Sequence, residues 1–395
     1  MKEQLETVHP SLRTWSYRKV FLSGATGLVG GQLLQDLLQI PQVEEIVCLV
    51  RPANGLSGVE RLSQKLRRGG VKGKALDEAM TRVRAAEGSV DIPSWGLSES
   101  DLHWIRNECE LFIHCAASIS FSDGVTNEAI NVNGTRNMLD VLRGAKSIRL
   151  FVPFSTATLC GWAPNEVVKE EESLDRTHHI IAYTLSKSKG EKMLRASKAE
   201  LPPMFFVRPC GVMAYGSRDR KQAKLFLWSL IAIAQLPFVR LRRDSLMDIV
   251  TVDFVVKCTL RLIAKFPNLK HDCYHVTGSV EKSATCGEIF DVACAKSTRA
   301  TLPKVIPPAE WTAEHEKALA DQGFAAIWES LQVYLPFMEM NCVYDNTRLK
   351  EELGADLPYL PKFTDYMNEM FAMIDPNLVT LSAKEMQQMS DASKE

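Results

Sequence analysis

The stretch from Val20 to Gly31 reads VFLSGATGLVGG and decides the fold. Its first residues form a short apolar run, which is typical of a buried parallel strand. Gly24, Gly27 and Gly30 follow at three-residue intervals, and leucines at helical spacing come next. Strand, glycine turn and helix together predict the front half of a βαβ unit.

The glycine turn predicts a phosphate cradle. Glycine permits a tight turn and a close approach of the backbone to a pyrophosphate, and the N-terminus of the following helix offers N–H groups to an anion. An ordinary β-turn is the alternative, but the strand and helix on either side favour a dinucleotide site. The expected contacts are Gly24, Thr26, Gly27, Leu28, Val29 and Gly30.

The end of the second predicted strand indicates which dinucleotide binds. The run EEIVCLVRP ends a strand at Val50, where an adenine ribose is expected, and Arg51 follows. A carboxylate there would favour NAD, whereas an arginine suits the 2′-phosphate of NADPH. Arg61 is a second candidate contact. The alternatives are a surface arginine and a solvated basic helix face.

Further strands alternate with helices. A third strand is predicted at Val83–Val90, a fourth at Leu111–Ala117, a fifth in IRLFVPFSTA and a sixth at Pro203–Pro209. Ala116 and Ala117, at the end of the fourth strand, are small enough to let a cofactor lie close to the backbone. This alternation predicts an α/β fold with a Rossmann-type, doubly wound parallel sheet.

A candidate catalytic group follows the fifth strand. That strand ends in Ser155 and Thr156, and the pattern Y-x-x-x-K places Tyr183 and Lys187 one turn apart on a helix face. A lysine ammonium beside a phenol is expected to lower its pKa. Tyr183 can then give a proton to an oxygen that receives a hydride, while Thr156 supplies a second hydrogen bond.

The chain divides into two predicted domains. Residues 1–210 form the nucleotide-binding domain, to which 241–278 return, and residues 211–240 and 279–375 form a smaller, mainly helical C-terminal substrate domain. A flexible tail is expected at 376–395. The apolar segment Leu225–Ala234 is too short to span a bilayer, so it is expected to line an acyl site or to pack in the core.

Composition excludes several function classes. The 395 residues carry a net charge of −1, which gives no support for nucleic-acid binding. The ten cysteines show no zinc spacing, so no metal site is predicted, and reduced buried thiols are expected. With neither an apolar leader nor a transmembrane segment in the sequence, a cytoplasmic location is expected.

The motifs GATGLVG, LVRP, LFIHCAASISF, NVNGT, FSTA, YTLSK and VRPCGV occur in the order seen in extended short-chain dehydrogenases/reductases. More narrowly, the chain resembles the thioester-reductase branch. That branch includes fatty acyl-CoA reductases and the terminal reductase domains of polyketide and non-ribosomal peptide synthetases. The resemblance covers about residues 18–280 with specific motifs, and 280–375 only loosely.

The resemblance implies the roles of several residues. The catalytic triad of the family falls on Thr156, Tyr183 and Lys187, and Tyr183 and Lys187 are expected to contact the cofactor too. Gly88-Ser89 replaces the usual Gly-Asp, and Cys115 stands where asparagine or glycine is common. The other cofactor contacts expected from the resemblance are Ser89, Val90, Cys115, Pro209 and Val212.

Three functions remain open at this point. The favoured one is NADPH-dependent reduction of an acyl thioester, on coenzyme A or a separate carrier protein, to an aldehyde or, with a second hydride, to an alcohol. The second is an NADP-dependent dehydrogenase or reductase of a ketone, sterol or nucleotide sugar, since the same triad serves both. The third is a non-catalytic nucleotide sensor, which has no need of all three triad residues.

Overall fold

A computed structural model describes residues 9–217, 230, 232–295 and 301–372. Its strands are β1 (Lys19–Ser23), β2 (Glu45–Val50), β3 (Val83–Glu87), β4 (Leu111–His114), β5 (Leu150–Pro153), β6 (Val167–Val168), β7 (Phe206–Pro209), β8 (Gly211–Met213), β9 (Phe238–Arg240), β10 (Leu246–Met247), β11 (Ile249–Thr251), β12 (Cys273–Val276), β13 (Ala284–Thr285), β14 (Lys304–Ile306) and β15 (Val343–Tyr344). Its helices are α1 (Leu28–Leu37), α2 (Gly58–Arg68), α3 (Lys74–Thr81), α4 (Glu99–Asn107), α5 (Gly124–Asn127), α6 (Gly134–Leu142), α7 (Ala182–Ala196), α8 (Val252–Lys265), α9 (Ser279–Lys282), α10 (Cys286–Cys294), α11 (Ala313–Asp321), α12 (Ala325–Gln332), α13 (Leu335–Met340), α14 (Thr347–Leu353) and α15 (Phe363–Ala372).

A parallel sheet lies at the centre of the molecule, with the strand order β3-β2-β1-β4-β5. Isolated bridges join Phe151 to Met204 and Phe154 to Val207, so β7 continues the sheet beyond β5. Strand β12 pairs in parallel with β7. The strand order reverses between β1 and β4, which is the topological switch point of a doubly wound sheet. The predicted Rossmann-type α/β fold is confirmed.

Strand β1 is buried on both faces. Val20 and Leu22 lie in a cluster with residues of α1 and α8, while Phe21, between them, faces the opposite cluster with Trp95 and Phe112. The side chains of Val20, Phe21 and Leu22 are fully buried. Burial of each contributes about 1.5–3 kcal/mol, which explains why a continuous apolar run, rather than an alternating one, encodes this strand.

Several predicted strands are longer than the observed ones: β5 ends at Pro153 rather than at Ser155 and Thr156, and β7 begins at Phe206 rather than Pro203. Strand β3 ends at Glu87 rather than Val90, and β4 ends at His114 rather than Ala117. Beyond His114 the Cys115 N–H is shared between the carbonyl and hydroxyl oxygens of Ser23, and the Ala116 N–H donates to the Ser23 hydroxyl instead of to backbone. The residues that follow these strands therefore form loops at the sheet edge.

The C-terminal part of the described chain contributes a separate apolar cluster. It combines residues of α10, α12, α13 and α15 with Met213, Ala214 and Leu230. Of the predicted segment Leu225–Ala234, positions 225–229 and 231 lie outside the described residues, whereas Leu230 and Ala232–Ala234 are buried in this cluster. The tail at 376–395 also lies outside them. The division into two domains stays a prediction.

Within the described ranges, none of the helices is both long and apolar enough to cross a membrane.

Candidate active site

The predicted site residues follow the carboxyl ends of neighbouring strands. The glycine turn follows β1, Arg51 follows β2, Cys115 follows β4, Thr156 lies just beyond β5 and Pro209 ends β7. In a parallel sheet these ends share one edge. The fold therefore brings residues from most of the predicted nucleotide-binding region to one edge of the sheet.

The glycine turn leaves no room for side chains. Gly24 has a φ of +79°, in the left-handed region, and a Cβ atom there would lie 2.8 Å from the amide nitrogen of Ala116. A Cβ atom on Gly30 would lie 2.3 Å from the carbonyl oxygen of Gly24. Helix α1 begins at Leu28 with no side-chain cap on its N-terminus. The turn is thus a close-fitting backbone cradle that leads into a helix N-terminus.

Sequence analysis missed Ser23 and His114, which fix the base of this cradle. The Ser23 hydroxyl oxygen accepts hydrogen bonds from the N–H groups of Cys115 and Ala116, both at 3.2 Å. It lies 2.8 Å from Nδ1 of His114. Burial, with the nearby charge of Lys187, lowers the pKa of His114 to about 3, so its imidazole is neutral. The signal available in the sequence was a serine ending β1 and a histidine ending β4.

Arg51 and Arg61 lie side by side at the end of β2. The Arg61 guanidinium donates to the Arg51 carbonyl oxygen. Burial and the Arg51 charge lower the pKa of Arg61. Arg51 itself is exposed and Arg61 is half-buried. Two arginines therefore meet where the second strand ends, and guanidinium groups are well suited to bind a phosphate.

The remaining predicted cofactor contacts differ in exposure. Ser89 is half-buried beside the carboxyl end of β3, whereas Val90 is buried and packs against Gly134. Ala117 is exposed, and Val212 lies in β8, half-buried. The predictions for these four residues concern contacts with a cofactor and stay predictions.

Thr156, Tyr183 and Lys187 meet beyond β5. Thr156 Oγ1 donates to the carbonyl oxygen of Pro209 at 3.2 Å and lies 2.9 Å from the Thr158 hydroxyl, and Thr156 is close enough to the Tyr183 phenol to lower its pKa. Lys187 lies one turn after Tyr183 on α7, and its Nζ donates to the Phe154 carbonyl oxygen at 2.9 Å. The hydroxyl pair and the ammonium thus lie at the same edge as the glycine turn.

The pKa values of Tyr183 and Lys187 are set mainly by burial. Burial raises the pKa of Tyr183 to about 12. The Thr156 hydroxyl lowers this pKa, but its effect is smaller than that of burial. Burial lowers the pKa of Lys187 to about 8. Glu191 and Cys115 raise this pKa, but their effect is smaller than that of burial. The predicted lowering of the Tyr183 pKa by Lys187 is wrong, because desolvation of the phenol dominates. Tyr183 is therefore a protonated donor at neutral pH.

A buried ion pair lies behind Lys187. Glu191, one turn further along α7, accepts from Arg208 Nη2 at 2.5 Å and from Arg208 Nε at 3.0 Å. The two side chains are 1% and 0% exposed. Arg208 also donates to the Glu170 carbonyl oxygen at 2.9 Å. The pair therefore keeps a carboxylate close to Lys187 in a desolvated position.

Three aromatic side chains that sequence analysis did not single out lie together beside Tyr183, and one of them, Phe121, lies over its ring. The Phe121 and Tyr183 rings are nearly parallel, at 13°, with centroids 6.0 Å apart. The rings of Tyr334 and Phe337 lie 5.0 Å and 5.2 Å from that of Phe121. We refer to Phe121, Tyr334 and Phe337 as the aromatic cluster. Tyr334 and Phe337 lie at α13, so the C-terminal part reaches the candidate catalytic group.

The residues present fit a nicotinamide dinucleotide. The glycine turn has the steric form of a pyrophosphate cradle, the N-terminus of α1 carries no side-chain cap, and guanidinium groups lie at the end of β2. For a metal, in contrast, the described ranges offer no group of three or more histidine, cysteine, aspartate or glutamate side chains.

Comparison with known proteins supports this assignment. A family model described as male sterility protein matches residues 22–259. Fatty acyl-CoA reductase 1 of Homo sapiens is 30% identical over 282 residues, which cover 62% of this chain and 54% of the human protein. Nonribosomal peptide synthetase asaC of Aspergillus flavus is 26% identical over 263 residues, which cover 64% of this chain. The chain spans only about a quarter of that synthetase.

Solved structures show the same fold. The terminal R domain from the myxalamid PKS-NRPS biosynthetic pathway superposes with a TM-score of 0.72 at 22% identity, over 90% of both chains. The reductase (R) domain of a nonribosomal peptide synthetase from Mycobacterium tuberculosis gives a TM-score of 0.66 at 18% identity, over 91% of this chain and 93% of that domain.

Proposed function

The chain belongs to the male sterility protein family, the thioester-reductase family that its motifs predict, and from that premise we propose that it is an NADPH-dependent reductase of an acyl thioester. One observation carries the proposal. The neighbouring side chains of Thr156 and Tyr183 lie at the same sheet edge as a glycine turn shaped for a pyrophosphate.

Each member of the triad has a separate task. A nicotinamide cofactor, when bound, supplies the hydride. Tyr183 and Thr156 donate hydrogen bonds to the thioester oxygen as it gains negative charge, and Tyr183 is suited to donate because it is protonated at neutral pH. Lys187 holds the cofactor ribose. Thiolate is a good leaving group, so departure of the carrier thiol gives an aldehyde.

NADPH, rather than NADH, is the proposed cofactor. Arg51 and Arg61 converge at the end of β2, where the ribose 2′ position of the cofactor is expected. Charge-assisted hydrogen bonds from guanidinium groups are the strongest that a phosphate receives from side chains. Selectivity for NADPH would follow from these contacts alone.

The acyl donor is proposed to be coenzyme A or a separate carrier protein. One relative is named a fatty acyl-CoA reductase, and another is a peptide synthetase of which this chain spans about a quarter. Residues 211–240 and 279–375 are proposed to form the substrate domain, since α13 of that region contacts the ring of Phe121. An aldehyde is the proposed first product, and a second reduction would give the alcohol.

NADPH oxidation by the unmodified protein with acetyl-, octanoyl- and benzoyl-CoA tests the proposal, with the products identified by mass spectrometry. We expect cofactor oxidation matched by the release of free thiol and by formation of the aldehyde or the alcohol. Turnover of simple ketones, with no turnover of any thioester, would instead support a dehydrogenase of the same fold.

A further inference from the structure

The aromatic cluster differs from the aromatic residues of the core. Phe112 and Phe151 belong to the sheet strands β4 and β5 and are fully buried. Tyr334, in contrast, is 43% exposed, and Phe121 and Phe337 are half-buried. A group of large rings that keeps accessible surface beside a reactive hydroxyl is typical of a binding surface rather than of a packing core.

The segment that carries Phe121 presents further apolar surface. Ile119 and Val125, on either side of Phe121 in the chain, are 72% and 83% exposed. Helix α5 places Gly124 against Ala182, directly before Tyr183, so this segment borders the candidate catalytic group. Apolar side chains thus extend from the phenol of Tyr183 to the surface of the protein.

The position of the aromatic cluster determines what part of a substrate it can contact. A carbonyl oxygen bound by the Tyr183 hydroxyl places the carbon atoms next to that carbonyl within a few ångströms of the phenol. The Phe121 ring lies over the Tyr183 ring, and Tyr334 and Phe337 lie against Phe121. In a thioester the acyl group, rather than the thiol carrier, is the apolar part. The aromatic cluster is therefore suited to contact the acyl group.

We propose that the aromatic cluster binds the acyl group beside the reacting carbonyl and makes the protein selective for extended apolar or aromatic acyl groups over acetyl. Phe121, Tyr334 and Phe337 are thereby specificity-determining residues. This inference rests on the proposed thioester reduction and assigns its substrate class. It adds the aromatic cluster to the expected acyl site, and the role of the segment Leu225–Ala234 stays a prediction.

The test compares acyl groups of different size in matched variants. Tyr334→Ala removes the most exposed ring of the aromatic cluster, and Tyr334→Phe keeps the ring. Tyr359→Ala is the control, because Tyr359 is also an exposed tyrosine, 75% exposed, but it lies against Lys282. For each variant, kcat/KM is measured with acetyl-, octanoyl- and benzoyl-CoA, and folding is checked by thermal unfolding.

We expect Tyr334→Ala to lower kcat/KM about tenfold for octanoyl- and benzoyl-CoA and to leave that for acetyl-CoA unchanged, since apolar pocket contacts discriminate by roughly this factor. Tyr334→Phe and Tyr359→Ala should match the unmodified protein. An equal loss with all three substrates, or no loss with any, would overturn the proposal.

A binding experiment separates this proposal from the proposed reaction. Octanoyl-CoA and acetyl-CoA are replaced by their thioether analogues, which bind without reacting, and affinity is measured by calorimetry. We expect the octanoyl analogue to bind more tightly, and Tyr334→Ala to abolish that preference. If no thioester is turned over but the preference appears and depends on Tyr334, the proposed reaction is wrong. The proposed role of the aromatic cluster in binding the acyl group is then still supported. If the preference is absent in the unmodified protein, the inference is wrong.

Discussion

The glycine turn and the aromatic cluster lie at the same sheet edge but are built in opposite ways. The turn consists of backbone, and its atoms approach so closely that a single added methyl group on Gly30 would meet the Gly24 carbonyl oxygen at 2.3 Å. The aromatic cluster consists of side chains that keep solvent exposure and come from distant parts of the chain. One surface is suited to an invariant pyrophosphate, and the other to an acyl group that differs among substrates.

This difference indicates where specificity can change at low cost. In the turn, Gly24 and Gly30 are constrained by neighbouring backbone, so a substitution there is expected to affect folding and cofactor binding together. In the aromatic cluster, a ring can be exchanged without opening a cavity in the core, because Tyr334 is partly exposed. Variation of acyl preference within this family is therefore expected at positions such as 334 rather than near Gly30.

The largest expected effect concerns the hydroxyl pair between the two surfaces. Tyr183→Phe should lower turnover about 10²–10³-fold, because it removes a donor to the developing oxyanion, while NADPH still binds. Thr156→Ala should also lower turnover without loss of cofactor affinity. The measurements are steady-state kinetics and a direct NADPH titration. Near-normal turnover of Tyr183→Phe with every accepted thioester would show that this group of residues does not catalyse the reaction.

The next largest effect is expected at the end of β2. Arg51→Asp should weaken NADPH binding about 10–100-fold and leave NADH binding unchanged, because it reverses the charge at the 2′-phosphate. The control is Arg67→Asp, an equal charge reversal at an exposed position in the last turn of α2. Titration of both variants with both cofactors measures the effect. Equal affinity of the unmodified protein for NADPH and NADH would contradict the role of Arg51.

What the sequence predicts depends on how local the geometry is. The strand, turn and helix from Val20 onward could be predicted because each structure is specified by adjacent residues. Tyr183 and Lys187 could be paired because four residues make one helical turn. The end of β4 was predicted too far along the chain, because the small residues after His114 continue the strand pattern while the Ala116 N–H bonds to the Ser23 side chain.

Long-range contacts could not be predicted. Nothing in the spacing of Phe121 and Phe337 indicates that their rings meet, since the contact depends on how the C-terminal helices pack. The pKa of Tyr183 was predicted in the wrong direction for a related reason. The motif shows the lysine, but the desolvation that dominates comes from the surrounding fold.

A smaller effect is expected from a substitution within the tightly packed glycine turn. Gly30→Ala should lower the free energy of unfolding by about 1–3 kcal/mol, because its Cβ atom would overlap a backbone carbonyl oxygen. Gly27→Ala is the matched comparison, since its Cβ atom would meet the same Gly24 oxygen at 3.2 Å. Denaturant unfolding measures both. A loss in Gly27→Ala as large as that in Gly30→Ala would show that close approach is not the cause.

The smallest expected effect is a shift in pH dependence at Lys187. Its pKa of about 8 lies below the usual lysine value, so the ammonium is present below pH 8 and is lost above it. Cofactor affinity should therefore fall as the pH rises through 8, and Lys187→Met should abolish this transition. Glu191 raises the pKa of Lys187, so Glu191→Gln should move the midpoint to lower pH, by about one unit or less. NADPH titrations across pH 6.5 to 9.5, an interval chosen to span roughly 1.5 units either side of that pKa, measure the midpoint.

Two further measurements make the Glu191→Gln result decisive. The variant leaves the buried Arg208 without its charged partner, so its stability should fall, and titrations are made at a temperature where circular dichroism shows it folded. Glu128→Gln is the control, because Glu128 pairs with Lys189 on the exposed face of α7 and should leave the midpoint in place. If Glu191→Gln raises the midpoint or leaves it unchanged while Lys187→Met abolishes it, Lys187 titrates but Glu191 does not set its charge. If the transition persists in Lys187→Met, a different group at this edge binds the cofactor in its protonated form.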